Sequence, residues 1–405
     1  MPRNIITNSG SGAQYVMTGT GDQYNHCELT TQFGPHGTSN QHSTDELAAV
    51  PTCNKGRPSR RADFCIAIIC ALTVEFDAVS LLFDEMWDEE DDAYGRAPGD
   101  TNTYTTGRIG KYNVALALLP NMGTASAAGA AAGMRSSFPR LRLVLVVGVC
   151  GGVPGTGTGK TELLLGDVVI SKTIQQSLGK QYPAQYVLKD TIDDNLGRLN
   201  KDIRTLVMSF ETELGQRRLQ RKAGGYLKVL QREAVRLGFR QDYQYPGLAE
   251  DKLFAPTYRH KHHLRNTCTD CSEDSAAVCD IAVHMSCVNL CCDESQLVPR
   301  IRLKMKAGLE PDVMQCPEIH IGRIRSGDTV IKSGEHRDRV AEEHNVIAFE
   351  MEGAGVWDEV PSIVVKGVCD YADSHKNKEW QPFAAATAAS VAKAVLERYT
   401  STIID

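Results

Sequence analysis

Phe64-Cys65-Ile66-Ala67-Ile68-Ile69-Cys70 is an unbroken apolar run of strand length. No polar residue alternates with the apolar ones, so a strand built from it must be covered on both faces. Such strands belong in the middle of an α/β sheet. Working outward, residues 103–109 and 112–119 read as a strand pair joined at Gly110-Lys111. The Ala/Gly-rich stretch 124–137 reads as a closely packed helix, and 143–149 as a second buried strand running into Gly151-Gly152. Further strands are expected at 167–171, 319–324, 348–350 and 363–368, with a long closing helix over 380–399. Strands alternating with helices specify a three-layer α/β/α sandwich around a central, mixed, twisted sheet.

Two segments have a different texture. Between about residues 175 and 317, Leu199, Ile203, Leu206, Val207, Phe210 and Leu214 follow helical spacing, and Leu227, Leu230, Ala234 and Leu237 mark a second helix. A stretch dense in His and Cys follows. This part is expected to be a helical, Cys/His-containing insertion packed on the sandwich, within a domain spanning 63–400. Residues 1–62 are rich in Gly, Ser, Thr, Asn and Gln, a composition too poor in aliphatic side chains to offset the entropy of folding. That leader is expected to be disordered. It nevertheless repeats: Gln14-Tyr15, Gln23-Tyr24 and Gln32-Phe33 recur every nine residues between glycines. Gln ladders and stacked aromatics suit cross-β stacking, so residues 4–33 are a candidate amyloid-like contact.

The net charge is −6, from 44 Lys+Arg against 50 Asp+Glu, which argues against nucleic-acid binding by bulk charge. No apolar run approaches the ~18 residues of a membrane span, and no signal-peptide core opens the chain. A cytoplasmic protein is expected. In that setting several of the 13 cysteines, such as Cys65, Cys70, Cys150 and Cys369, are read as buried apolar groups, and a reducing compartment argues against disulfides.

Three separated clusters carry acids: Ile69-Cys70-Ala71-Leu72-Thr73-Val74-Glu75, Phe349-Glu350-Met351-Glu352-Gly353-Ala354, and Lys366-Gly367-Val368-Cys369-Asp370. Carboxylates just past the ends of α/β strands face the crevice where such sheets bind ligands. With Gly148 to Gly152, Leu165-Gly166-Asp167-Val168-Val169 and Ser326-Gly327-Asp328, these clusters resemble the purine nucleoside phosphorylase superfamily. The nearer likeness is to its methylthioadenosine/S-adenosylhomocysteine nucleosidase branch, and the leader resembles fungal prion-like signalling motifs. Asp370, eighteen residues after Glu352, completes the joint signal.

The resemblance implies a purine nucleoside or nucleotide as ligand, no cofactor, and a homo-oligomer. It makes Asp370 the general acid at the departing base and Glu75 the carboxylate on the attacking water. Glu352 would hold the ribose hydroxyls, Met351 would line the sugar, Val330 and Ile331 would edge the base pocket, and Gly123 would lie near the ribose. Rupture of a ribosyl C–N bond puts positive charge on the sugar and negative charge on the base, which is why acids of two kinds are needed. Asp370 could instead cap a helix, Glu352 could sit beside a helix dipole, and Glu75 could be a solvated helix-face acid. Asp373 is expected to be structural or at the surface.

A carboxylate at Glu75 favours water over phosphate as nucleophile, since like charges repel. Hydrolysis is therefore the leading expectation, and the resemblance implies an adenine nucleoside or nucleotide as substrate and a fungal defence or cell-death setting. A phosphate-dependent phosphorylase and a silent nucleotide-binding module are the alternatives. Gly155-Thr156-Gly157-Thr158-Gly159-Lys160-Thr161 lacks the first glycine of a phosphate-binding loop and reads as a surface hairpin. In the insertion, Arg259, His260, Lys261, His262, His263 and Arg265 could meet substrate phosphates. Cys268-x-x-Cys271 beside His260, His262 and His263 has zinc-ligand chemistry. The later cysteine spacings form no second clean pair, and no metal ligand is assigned.

Overall fold

The computed structural model describes residues 57–87, 94–155, 161–176, 179–181, 186–188, 199–263, 268–272, 278–376 and 378–400. All of these belong to one compact unit, Ala49–Asp405. The Gln-aromatic repeat of the leader and positions 156–160 of the Gly/Thr loop lie outside the described residues.

Eleven strands and eleven α-helices are described. The strands are β1 (Ile66–Cys70), β2 (Glu85–Met86), β3 (Tyr104–Ile109), β4 (Tyr112–Leu118), β5 (Leu143–Gly152), β6 (Val168–Gln176), β7 (Gly179–Gln181), β8 (Tyr186–Leu188), β9 (Ile319–Ser326), β10 (Val346–Glu350) and β11 (Ser362–Asp370). The helices are α1 (Thr73–Ser80), α2 (Thr124–Ser137), α3 (Lys201–Phe210), α4 (Glu213–Leu237), α5 (Thr269–Ser272), α6 (Asp280–Val283), α7 (Ile301–Lys306), α8 (Pro311–Met314), α9 (Gly334–His344), α10 (Gly353–Glu359) and α11 (Gln381–Arg398).

Nine strands make one mixed sheet in the order β10-β9-β6-β11-β5-β1-β4-β3-β2. Strand β1 is buried at every position and lies parallel to β4 and β5, as its unbroken apolar run requires. Helices α1, α4 and α11 pack on one side, and α2 with α10 on the other, giving the three layers expected. One half of the sheet closes on itself. The last residues of β5 pair antiparallel with β10, Gly151 opposite Phe349 and Gly152 opposite Ala348. Strands β5, β11, β6, β9 and β10 thereby form a ring.

The inserted segment departs from its expected layout. Its apolar spacing runs on from Phe210 to Leu214, but the chain breaks at Glu211–Thr212 and a new, 25-residue helix begins. The break is a cap: the Thr212 hydroxyl accepts the Gly215 N–H at 3.1 Å, satisfying an otherwise orphan donor. The resulting α4 packs along α11.

Candidate active site

The segments that follow β1, β10 and β11 converge, with the end of β5, on a cleft of about 220 Å³. Glu75, Met351, Glu352, Asp370, Val330 and Ile331 all line it. Three larger hollows lie elsewhere: about 440 Å³ between α4 and α7, about 440 Å³ beside β9 and β10, and about 380 Å³ between the insertion and the start of α9. None of the three gathers acids from separate strands, so the smaller cleft is the chemically organised one.

Glu75 is buried, only 2% exposed, rather than a solvated helix-face acid. As the third residue of α1 it folds back, and its Oε2 accepts the N–H groups of Ala71 and Leu72 at 2.9 Å each. Its Oε1 accepts the Val149 N–H at 2.7 Å. Burial raises its carboxyl above the ordinary range, with Lys366 opposing and Glu352 adding to the rise. A carboxylate with raised proton affinity is the better base, and Oε1 keeps a lone pair for water.

Glu352 stands at the start of α10 without capping it. That task falls to Glu350, whose carboxylate accepts the N–H groups of Glu352 and Gly353 at about 3 Å. Freed of the cap, Glu352 receives the Lys366 ammonium at 2.7 Å. Lys366 is fully buried in mid-β11. Burial works against its charge, but Glu352, Glu75 and Glu350 outweigh it and hold the ammonium above its usual range. The three carboxyls share this one buried ammonium. Burial in turn raises the Glu350 carboxyl. A cation forming nearby would be drawn to those of them that are ionised.

Asp370 ends β11 and turns its side chain into the cleft. Its Oδ1 accepts the Ala372 N–H at 2.8 Å, and its Oδ2 lies 3.1 Å from the Lys376 ammonium. Ala372 has φ +52°, a left-handed conformation uncommon outside glycine, and the Asp370 bond helps hold that turn. Asp370 caps no helix. Asp373 is buried rather than at the surface, and accepts the His375 N–H at 2.9 Å. Gly123 caps α2 outside the cleft lining, beside Met122, which does line it. Asp328 accepts the Thr124 N–H at 2.7 Å and closes this corner.

Lys366, Glu350 and Lys376 had no assigned role from sequence. Lys366 offered a signal: a lone lysine inside an apolar strand must find a buried partner. Two glycines of β5 were also uninterpreted. A Cβ on Gly148 would collide with both Glu75 oxygens, and one on Gly151 would lie 2.9 Å from Asp370 Oδ1. These glycines are the space the two acids occupy. Gly148→Ala should therefore cost about 1–3 kcal/mol of stability by overpacking and displace Glu75, lowering activity. Gly129→Ala, where a Cβ meets nothing within 4 Å, is the control. Parallel denaturant titrations and rate measurements on the two variants check this.

A mixed sheet with α-helices on both sides, and acids of three strand ends around one cleft, define a ligand-cleaving or ligand-binding α/β domain of the doubly covered kind. Residues 65–219 match the family model of the phosphorylase superfamily. A nucleotide-binding leucine-rich repeat (NLR)-like protein of Hyaloscypha variabilis is 30% identical over 348 residues, 84% of this chain. The chain spans only 30% of that relative's length. Among solved structures, the methylthioadenosine/S-adenosylhomocysteine nucleosidase of Colwellia psychrerythraea in complex with adenine is 14% identical, with a TM-score of 0.48 over 84% of this chain and 98% of that one. Futalosine hydrolase of Helicobacter pylori is 15% identical, with a TM-score of 0.46 over 82% and 97%. No helix among the described residues is long and apolar enough to cross a membrane.

Proposed function

We propose that this protein hydrolyses the N-glycosidic bond of an adenine nucleoside or nucleotide, and that residues 63–400 form the catalytic domain. The observation that carries the reading is the meeting of Glu75, Glu352 and Asp370, from distant parts of the chain, around one cleft. In this reading Glu75 takes a proton from water on one side of the sugar, and Glu352 holds the ribose hydroxyls with its second oxygen on Lys366. Asp370 protonates the departing base, and the Lys376 ammonium offsets the negative charge that grows there. Met351, Val330 and Ile331 provide the apolar walls, with Gly123 at the corner nearest the ribose.

Water is favoured over phosphate because Lys366, the buried ammonium beside Glu75, is already engaged by Glu352. A phosphate dianion would face three carboxyls. The nucleotide form of the substrate draws support from a second cleft of about 380 Å³, lined by Arg259, Lys261 and Lys332, which shares Lys376 with the first. His260 lines that cleft too, but its ring, like that of His262, turns to cysteine sulfurs, and His263 stacks on Tyr258. Arg265 lies outside the described residues. The relationship to a much longer NLR-like protein supports a role as an effector module in a fungal defence or cell-death pathway, and the proposal places it in the cytoplasm as a homo-oligomer. An amyloid-like partner engaging residues 4–33 would supply its trigger.

The test is base release from adenosine, methylthioadenosine, AMP and ATP, each with and without phosphate. Free adenine without phosphate is expected, and Glu75→Gln should abolish most of it. Strict phosphate dependence would replace the hydrolase with a phosphorylase, and no release from any substrate would leave a nucleotide-binding module.

A further inference from the structure

Among the described residues, the part of the insertion around α5 and α6 has few apolar contacts of its own. Around α5 and α6 the buried cluster is Cys271, Cys279, Ala282 and Leu290, flanked by Cys268, Met285 and Cys292, so thiols make up most of it. The aliphatic side chains of Val278, Ile281 and Val288 are exposed instead. Helices α5 and α6 have four residues each, far below the length at which a helix sustains itself. A fold with so little core needs a cross-link.

The cysteines do not provide it as disulfides: all those described are free thiols. They gather around histidines. The donor atoms of His262, Cys268, Cys271 and Cys279 lie within 4.8 Å of one another. His262 Nδ1 is 3.4 Å from Cys271 Sγ and 3.9 Å from Cys279 Sγ, and Cys268 Sγ is 3.7 Å from Cys279 Sγ. A tetrahedral zinc, with Zn–S of about 2.3 Å and Zn–N of about 2.0 Å, separates its donors by roughly 3.6–3.8 Å. The spacing fits such an ion.

A second group forms from His260, Cys292 and His375, again within 4.8 Å. Cys287 lies beside this trio rather than within the 4.8 Å group, its Sγ, like that of Cys292, being 3.6 Å from His260 Nδ1. Two features here are those of a metal site. The other ring nitrogen of His260, Nε2, is 2.9 Å from the Met285 carbonyl, the outer hydrogen bond that orients a ligating imidazole. His375 is buried, yet neither of its ring nitrogens has a hydrogen-bond partner, an omission that costs free energy unless a ligand takes it up. Asp167, Glu318 and His320 also lie close together, but the Arg302 guanidinium already pairs with both carboxylates there.

We propose that this protein binds two structural zinc ions, one through His262, Cys268, Cys271 and Cys279 and one through His260, Cys287, Cys292 and His375. Soft sulfur and imidazole donors in tetrahedral array select zinc over the hard divalent cations. The thiols bind as thiolates and release their protons to solvent, three at the first centre and two at the second. The second ion joins the insertion to the segment after β11, because His375 adjoins Lys376 and the Ser374 hydroxyl accepts the His260 N–H at 3.0 Å. It thereby positions the turn that carries Asp370 and Lys376.

The experiment is metal analysis of the full chain, purified without chelator from zinc-supplemented cells and dialysed against zinc-free buffer. About two zinc per chain are expected. Cys271→Ser and Cys292→Ser should each bring the ratio to about one, and cobalt exchanged into the wild type should give the intense visible bands of tetrahedral thiolate ligation. Less than half an equivalent in folded wild type, or recovery of the clustered cysteines as disulfides, overturns the proposal. One equivalent that Cys292→Ser leaves untouched overturns the second centre. The wild-type ratio and the cobalt spectrum decide the matter even where a variant fails to fold.

Discussion

Asp370→Asn should lower turnover by about 10²–10⁴-fold, the usual worth of a positioned general acid, with thermal stability nearly unchanged. The carboxamide keeps the shape of the side chain, and its oxygen can still accept the Ala372 N–H that shapes the turn. What it loses is a proton to deliver and a charge facing Lys376. The deficit belongs in kcat, since the acid acts on the departing base rather than on the bound nucleoside. Steady-state kinetics on whichever substrate releases adenine would measure it. Undiminished kcat would remove Asp370 from the chemistry altogether.

The largest effect on stability is expected from Lys366→Met. Removal of one partner from a buried pair typically costs about 3–5 kcal/mol, because the other charge is left unpaired in a dry interior. Here the Lys366 ammonium pairs directly with Glu352 and also faces Glu75 and Glu350. A fall in melting temperature on the order of 10 °C should follow. Adding Glu352→Gln to the same chain should recover part of the loss, because the closest of the stranded charges is then gone. If Lys366→Met unfolds at the wild-type temperature, the ammonium is not what the acids rely on.

The sandwich could be read from the sequence because its central strands are covered on both faces. Runs such as 64–70 and 143–149 admit no amphipathic reading, and the sheet places β1 and β5 side by side. Glu75, Glu352 and Asp370 were legible for a related reason: each follows an apolar strand, and strand ends in such sheets face one crevice. The break at Thr212 was not legible, since the apolar spacing of α3 continues in phase into α4 and only a hydroxyl cap marks the interruption. Nor was the role of Glu350. It stands two residues before Glu352 in the same acidic motif, and which of them caps α10 depends on where Lys366 lies in space. His375 could not be joined to the cysteines of the insertion, because its only tie to them is tertiary.

The pairing of Gly151 and Gly152 with β10 bears on how the acids survive thermal motion. An open sheet frays from its outermost strand, and whatever that strand carries goes with it. Strand β10 has neighbours on both sides, β9 and β5, so it has no margin from which to unzip. Glu352, just beyond β10, and Asp370, at the end of β11, are thus mounted on a closed hoop. Fraying is left to β2 and β3 at the far border of the sheet, away from the reacting groups.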